Sequence, residues 1–296
     1  MHVKCCPVCQ SSAGNLHLVR EMMLGTRETF LYSECSDCGC LSLADIPEDL
    51  DQYYPVDVSG RKARPSSFLR KLRNALYLSR YSFLVNWRQR NDLDVIRRIK
   101  LKKNMTFLEV GSKSGSLLGD LHELGYDVHG VNYFAQEDLK DGNGYHVECK
   151  TLAEIQGKFD VILFRHSLEH MPIDMLAIAR EHLKSNGSCV VCIPVLGWAW
   201  QTYATDWAEL DAPRHLFVHT SKSFALLAEK SGFQIDKVVF DSTEYQLWAS
   251  NWYQRNVPLA RMPEPTRQQR SHMRHLAETL NLTGKGDTAQ FYLKPA

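Results

Sequence analysis

Four cysteines in two close pairs carry the most legible chemistry of this chain: Cys6 and Cys9 in C-P-V-C, then Cys35 and Cys38 in C-S-D-C-G. Two residues between paired thiols let a tight turn aim both sulfurs at one ion, the spacing of a structural zinc site. Cys5 and Cys40 flank the pairs and are the alternatives, but C-P-x-C followed by C-x-x-C-G favours the inner four. With sulfur at all four positions no place remains for water or substrate, so the expected zinc is structural.

A second group of polar residues lies far downstream. His166, Glu169 and His170 form H-x-x-E-H, and Asp211, Pro213, Arg214, His215 and His219 crowd a later stretch. Two histidines four apart on a helix can grip zinc as in metalloproteases, but that needs a long helix, and Pro172 stands two residues after His170. The segment therefore reads as a loop. An aromatic stretch with Trp198, Trp200, Tyr203 and Trp207 precedes the second group and reads as a lid or substrate wall.

These groups need elements to position them. The 25 residues between Cys9 and Cys35 fit a short hairpin from L-H-L-V-R and E-T-F-L-Y-S. Apolar residues at three- and four-residue spacing, Phe68, Leu69, Leu72, Leu76 and Tyr77, then Leu93, Ile96 and Ile99, predict helices between Ser66 and Lys103. From Met105 the order becomes strand, glycine loop, helix, strand: Thr106–Val110, the turn G-S-K-S-G over Gly111–Gly115, Ser116–Leu124, and Asp127–Val131. Further strands are expected at Phe159–Phe164, Cys189–Ile193, Gln234–Phe240 and Thr288–Leu293, the last as an antiparallel edge. Helices are expected at Ile173–Leu183 and Ser221–Ser231, and Tyr245, Trp248, Trp252 and Tyr253 fit a buried helix stripe. A glycine turn between strand and helix leaves backbone N–H groups at a helix start, a place for a ligand.

The chain divides on this reading into a cysteine module over 1–50, a basic helical connector over 51–103 and an α/β domain over 104–296. The last has a lid insertion around 195–220 and a helical insertion around 243–284. At 296 residues, 44% apolar and 23% charged, it is an ordinary globular composition. No apolar run is long enough to span a membrane and the N-terminus lacks a secretory signal's apolar core, so a cytoplasmic location is expected. Net charge is only +1, but the stretch from Arg61 to Lys103 holds fourteen Lys or Arg against two Asp. That balance argues against general nucleic-acid binding and leaves a local basic surface open to a protein or carrier partner.

The order G-S-K-S-G, F-D-V-I-L-F-R-H-S-L-E-H, L-K-S-N-G-S, I-P and D-A-P-R-H-L-F-V-H-T resembles class I S-adenosylmethionine-dependent methyltransferases of the small-molecule type. It is similar in particular to a bacterial subgroup with an N-terminal four-cysteine zinc module followed by a Tyr-Tyr-Pro segment, here Tyr53, Tyr54 and Pro55. The resemblance implies a Rossmann-like seven-stranded methyltransferase fold preceded by a zinc-ribbon-like domain. It implies a donor site of Glu109, Gly111, Ser112, Lys113, Gly115, Asn132 and Arg165, with S-adenosylhomocysteine as product. Two of these depart from the family pattern: Lys113 stands where the loop's middle glycine belongs, and Asn132 where a carboxylate accepts both ribose hydroxyls.

The resemblance also places His166, Glu169 and His170 beside the donor methyl. His166 and His170 become candidate catalytic groups, Glu169 or His170 orients an acceptor, Arg214 holds an anionic substrate group, and Tyr203 and Trp207 wall the substrate. His215 is the expected general base, with a pKa near neutrality. The expected activity is methyl transfer to a small molecule in biosynthesis, a sugar or specialised metabolite, at an undetermined acceptor atom. The alternative, favoured by Lys113 and Asn132, is a non-catalytic relative that binds another ligand or a protein.

Overall fold

The computed structural model describes residues 5–54, 67–79, 81–82, 91–133, 137–140 and 145–296. Pro55 and much of the arginine-rich connector, Arg61 included, lie outside the described residues.

Three strands open the chain: β1 (Ala13–Arg20), β2 (Thr29–Cys35) and β3 (Leu41–Leu43). Strands β1 and β2 pair antiparallel, as the expected hairpin does. The connection between them is held by Glu21, buried at 2% exposure, whose carboxylate accepts the backbone N–H groups of Leu24, Gly25 and Thr26.

Helices α1 (Phe68–Leu78) and α2 (Asn91–Ile99) follow. The apolar stripe expected on α1 is only partly buried. Tyr77 is fully covered, but Phe68 is 78% and Leu69 74% exposed. The helix docks instead through Asn74, Tyr77 and Arg70, whose guanidinium meets Asp120 and Glu123 at 3.1 Å each.

The α/β part contains β4 (Thr106–Val110), α3 (Ser116–Glu123), β5 (Asp127–Val131), β6 (Leu139–Lys140), β7 (His146–Glu148), β8 (Phe159–Arg165), α4 (Met175–Glu181) and β9 (Leu183–Pro194). Then come α5 (Trp198–Tyr203), β10 (Phe217–Val218), α6 (Ser221–Lys230), β11 (Phe233–Phe240), α7 (Glu244–Tyr253), α8 (Arg267–Leu282) and β12 (Thr288–Pro295). One sheet runs β11-β12-β9-β8-β4-β5-β7-β6. Strands β9, β8, β4, β5 and β7 are parallel neighbours, while β12 lies antiparallel between β9 and β11. Seven strands form the Rossmann-like methyltransferase arrangement, and the two-residue β6 adds an antiparallel edge. The C-terminal strand is thus antiparallel, as expected, but interior: Gln290 pairs with Cys192 on one side and Val239 on the other. Its sequence Thr288–Leu293, buried throughout, suits two neighbours better than one.

Alternation along the strands builds two apolar layers. Phe107, Val161, Leu163 and Val190 face α3 and the connector helices through Leu117, Leu118, Tyr77, Leu93 and Ile96. Leu108, Val110, Ile162, Phe164 and Val191 face the other way, toward α4 and α6, and this layer also takes in Cys6, Val8, Cys35, Cys38 and Cys40.

The N-terminal strands do not make a self-contained sheet. Their order is β1-β2-β3-β10, so the fourth strand comes from the stretch read as a lid. Val19, Tyr32, Leu41 and Leu43 pack with Leu196, Tyr203, Trp207, Leu216, Leu247 and Leu280 in one cluster. No described helix is long and apolar enough to cross a membrane.

Candidate functional site

The glycine loop over residues 111–115 lies at the carboxyl end of β4. Gly111 and Gly115 both have positive φ, 79° and 63°, and the N–H groups of Gly111 and Ser112 both donate to the Val131 carbonyl of β5. A Cβ on Gly111 would stand 2.4 Å from the Cβ of buried Ser167, whose hydroxyl is fixed to the Val110 carbonyl at 2.7 Å. Gly115 meets the ring of Tyr145 in the same way, at 2.5 Å. Gly111→Ala should therefore cost about 1–2 kcal/mol for the left-handed backbone and displace Ser167 as well, seen as a lower Tm. Unchanged melting would mean that the loop tolerates a side chain there.

Glu109, 2% exposed, is held from two sides. Arg165 brings Nε and Nη2 to Glu109 Oε1 at 3.1 and 3.0 Å, and the Ser112 hydroxyl donates to Oε2 at 2.7 Å. The pair ties the ends of β4 and β8 together. Asn132, at the end of β5, is buried, and its N–H donates to the Glu148 carbonyl. Lys113 is exposed. Its charge lies near enough to act on Glu169, His170 and His215.

That group is buried. Glu169 and His170 sit on the single 3-10 turn Leu168–His170 that follows β8, and the backbone N–H of Leu216 donates to the Glu169 carbonyl at 2.8 Å, clamping the His215 loop against it. The two imidazole rings meet edge to face, centroids 4.6 Å apart. His215 Nδ1 is 2.8 Å from the Glu209 carbonyl and His170 Nδ1 is 3.0 Å from the Arg214 carbonyl. A carbonyl only accepts, so His215 carries its proton on Nδ1 and a lone pair on Nε2, whereas His170 Nδ1 also lies 3.1 Å from the Tyr54 hydroxyl. His215 Nε2 lies 3.9 Å from Glu169 and 3.7 Å from Asp211, whose other carboxylate oxygen pairs with Arg214. His166 is half exposed at the edge, its Nδ1 3.7 Å from Glu169. His166 and Asp211 both have positive φ, 50° and 42°, which non-glycine residues seldom adopt.

Burial governs the protonation of this cluster. Loss of solvent pushes the Glu169 carboxyl up to about 8 and His215 down to about 3, with the Arg214 charge adding to the latter. His170 is likewise driven well below the usual imidazole range, first by burial and then by the His215 ring. The near-neutral pKa expected for His215 is thus corrected: desolvation keeps it neutral and only weakly basic.

The four cysteines also converge. Their sulfurs all lie within 4.8 Å of one another, with Cys6 to Cys38 at 3.6 Å and Cys9 to Cys35 at 3.4 Å. Four sulfurs at about 2.3 Å from a tetrahedral zinc are about 3.8 Å apart. The two turns are built alike, each second cysteine being followed by a residue with positive φ, Gln10 at 67° and Gly39 at 72°. Cys5 instead points outward to Gln10, and buried Cys40 approaches the Leu41 carbonyl and His219.

A family model described as a methyltransferase domain matches residues 84–238, just over half of the chain. The chain belongs to this methyltransferase family. None of the curated proteins compared with it matches. Solved structures do. One is the mitomycin 7-O-methyltransferase, at 13% identity and TM-score 0.40, covering 66% of this chain and 50% of that chain. Another is the geranyl diphosphate C-methyltransferase of Streptomyces coelicolor, at 11% and 0.44, covering 66% and 74%. The 1,6-didemethyltoxoflavin N1-methyltransferase of Burkholderia thailandensis gives 13% and 0.44, covering 88% and 97%. The chain thus spans half the length of the first of them, and likenesses so distant decide nothing about an acceptor.

Within the methyltransferase domain, the residues read from the sequence divide into three places. Glu109, Gly111, Ser112, Gly115, Asn132 and Arg165 gather at the carboxyl ends of β4, β5 and β8. Glu169, His170, Arg214 and His215 come together beside them, with His166 at the rim. Trp207 is elsewhere: it is 1% exposed, and its indole N–H donates to Asp287 at 2.9 Å, so it anchors the lid in the core and presents no face to a substrate. Tyr203 is largely covered in the same cluster. Two tyrosines escaped the sequence reading of the site. The Tyr54 hydroxyl reaches His170 and the Arg214 carbonyl, and Tyr32 donates to the His215 carbonyl at 2.7 Å. Tyr54 belonged to a motif already noted, whereas nothing local to Tyr32 marks its role.

Proposed function

We propose that this chain transfers a methyl group from S-adenosylmethionine to a small-molecule acceptor, releasing S-adenosylhomocysteine. The observation that carries the reading is the adjacency of a left-handed glycine loop and a buried polar cluster at the carboxyl ends of β4 and β8, in a domain of the methyltransferase family. Ligands of open α/β sheets bind at that edge.

The residues present fit the donor. Lys113 is exposed, so it does not fill the loop. Helix α3 has Gly115 as its N-cap residue and no side-chain cap, leaving its first backbone N–H groups for an oxygen-rich ligand. Asn132 holds one ribose hydroxyl through its amide, in place of the bidentate carboxylate of the family pattern. Exposed Tyr133 next to it offers a ring for the adenine. When bound, the donor supplies an electrophilic methyl on a sulfonium sulfur. The chain's own part is to align the acceptor with it: Glu109 and Arg165 fix the loop, while His166, Glu169, His170 and His215 line the acceptor side, Arg214 completes it, and Lys113 lies between the two. In this reading residues 1–50, with a structural zinc on Cys6, Cys9, Cys35 and Cys38, support the acceptor side, and the basic connector over 51–103 is open to a carrier.

Calorimetry with S-adenosylmethionine and S-adenosylhomocysteine tests the donor site. Micromolar binding is expected. Absence of heat at millimolar ligand would sink the enzyme reading and favour the alternative, a repurposed relative whose Lys113 and Asn132 serve a different ligand.

A further inference from the structure

Glu169, His170 and His215 present one chemical anomaly. Each is at most 6% exposed, and their ligand atoms lie within 4.8 Å of one another. Neither oxygen of Glu169 accepts a hydrogen bond among the described residues, and the His215 Nε2 that faces it at 3.9 Å is too far for one. His215 commits its Nδ1 proton to the Glu209 carbonyl, so its Nε2 turns a lone pair toward the Glu169 carboxyl, and His170 brings a ring nitrogen within 4.8 Å of both. A buried carboxyl with neither oxygen hydrogen-bonded is costly, and a cation held jointly with the neighbouring imidazoles would satisfy it.

We propose that His170, His215 and Glu169 form a second metal site, separate from the four cysteines, which takes a first-row divalent cation such as Mn2+ or Fe2+ and offers its open positions to a hydroxyl-bearing acceptor. Two imidazoles and one carboxylate are the donor set of such ions. An ion about 2.1 Å from each ligand places ligand atoms roughly 3–4 Å apart, the spacing found between His215 Nε2 and Glu169. The bond from His215 Nδ1 to the Glu209 carbonyl is the kind of outer contact that fixes a metal-binding imidazole. His166, 3.7 Å from Glu169 and half exposed, sits where an ion would enter. The cations already present do not fill the role: Arg214 is paired with Asp211, and Lys113 is exposed.

The acceptor class follows, resting on the donor reading above. A hydroxyl bound to the ion loses its proton more readily. That proton leaves through His166 to water. The oxygen then attacks the sulfonium methyl; the O–C bond forms, and the C–S bond breaks with its electron pair returning to sulfur as a neutral thioether.

The test is titration of Mn2+ into the 296-residue chain with its zinc content measured, following loss of the free-ion electron paramagnetic resonance signal. One Mn2+ per chain is expected, with affinity lowered at least about a hundredfold in Glu169→Gln and in His215→Gln, at unchanged zinc content and Tm. Binding to neither protein nor variants up to millimolar Mn2+, or equal binding to all three, would overturn the site. S-adenosylhomocysteine calorimetry on the same samples separates the two ideas: Mn2+ binding without nucleoside binding keeps the metal site and removes the donor reading, and the reverse removes only the metal.

Discussion

Cys38→Ser should purify without zinc, lose the protease resistance of residues 5–54 and fall at least a hundredfold in methyl transfer. Structural zinc sites of this type contribute about 10–16 kcal/mol of apparent binding free energy, more than the whole stability of most domains. Three short strands and a pair of turns cannot replace that by burying apolar area. Activity falls with it because Tyr32, on β2, holds the His215 carbonyl, and because the cysteines share the apolar layer of α4 and α6. Metal analysis of Cys5→Ser and Cys40→Ser provides the control. Both should keep one zinc per chain, since neither sulfur belongs to the converging four. Zinc retained by Cys38→Ser, or lost from Cys5→Ser, would refute the ligand assignment.

Arg165→Ala should be the most damaging single change at the donor loop. It leaves Glu109 with the Ser112 hydroxyl as its remaining side-chain partner named above, at 2% exposure. Breaking a buried ion pair from one side costs about 3–5 kcal/mol, which for a protein of this size lowers Tm by roughly 10 °C. The companion variant, Glu109→Gln with Arg165→Met, removes both charges and should recover most of that loss while still failing to bind donor. Thermal denaturation separates the outcomes. A single variant as stable as the parent would show that the pair contributes nothing to the β4–β8 junction.

Much of the α/β part was legible because its strands are short apolar runs between clear turn signals. F-D-V-I-L-F and the run from Cys189 to Ile193 announce buried parallel strands, and G-S-K-S-G announces the turn. The strands β6 and β7 were not, since two and three residues with polar neighbours carry no periodicity. The inward position of β12 was also hidden: sequence can suggest an antiparallel direction from a turn, but not which strands will flank it. For the site, each half was visible and their meeting was not. H-x-x-E-H was set aside as a helix-borne zinc motif because Pro172 forbids the helix, which was sound. What completes the cluster is His215, brought in by one backbone bond from Leu216 to Glu169 across a long loop. Trp207 was misread for the opposite reason, its aromatic neighbours suggesting a wall when its N–H is spent on Asp287.

The sheet order β1-β2-β3-β10 has a consequence for biogenesis. A ribosome releases β1, β2 and β3 long before it polymerises Phe217 and Val218, so the emerging amino-terminal segment waits with an open edge on β3 and no lid to cover Tyr32 and Leu41. Contacts so distant in sequence close slowly. With zinc on the four cysteines as proposed above, metal capture by the nascent chain would shelter this segment meanwhile, so zinc supply during translation should influence how much chain escapes aggregation.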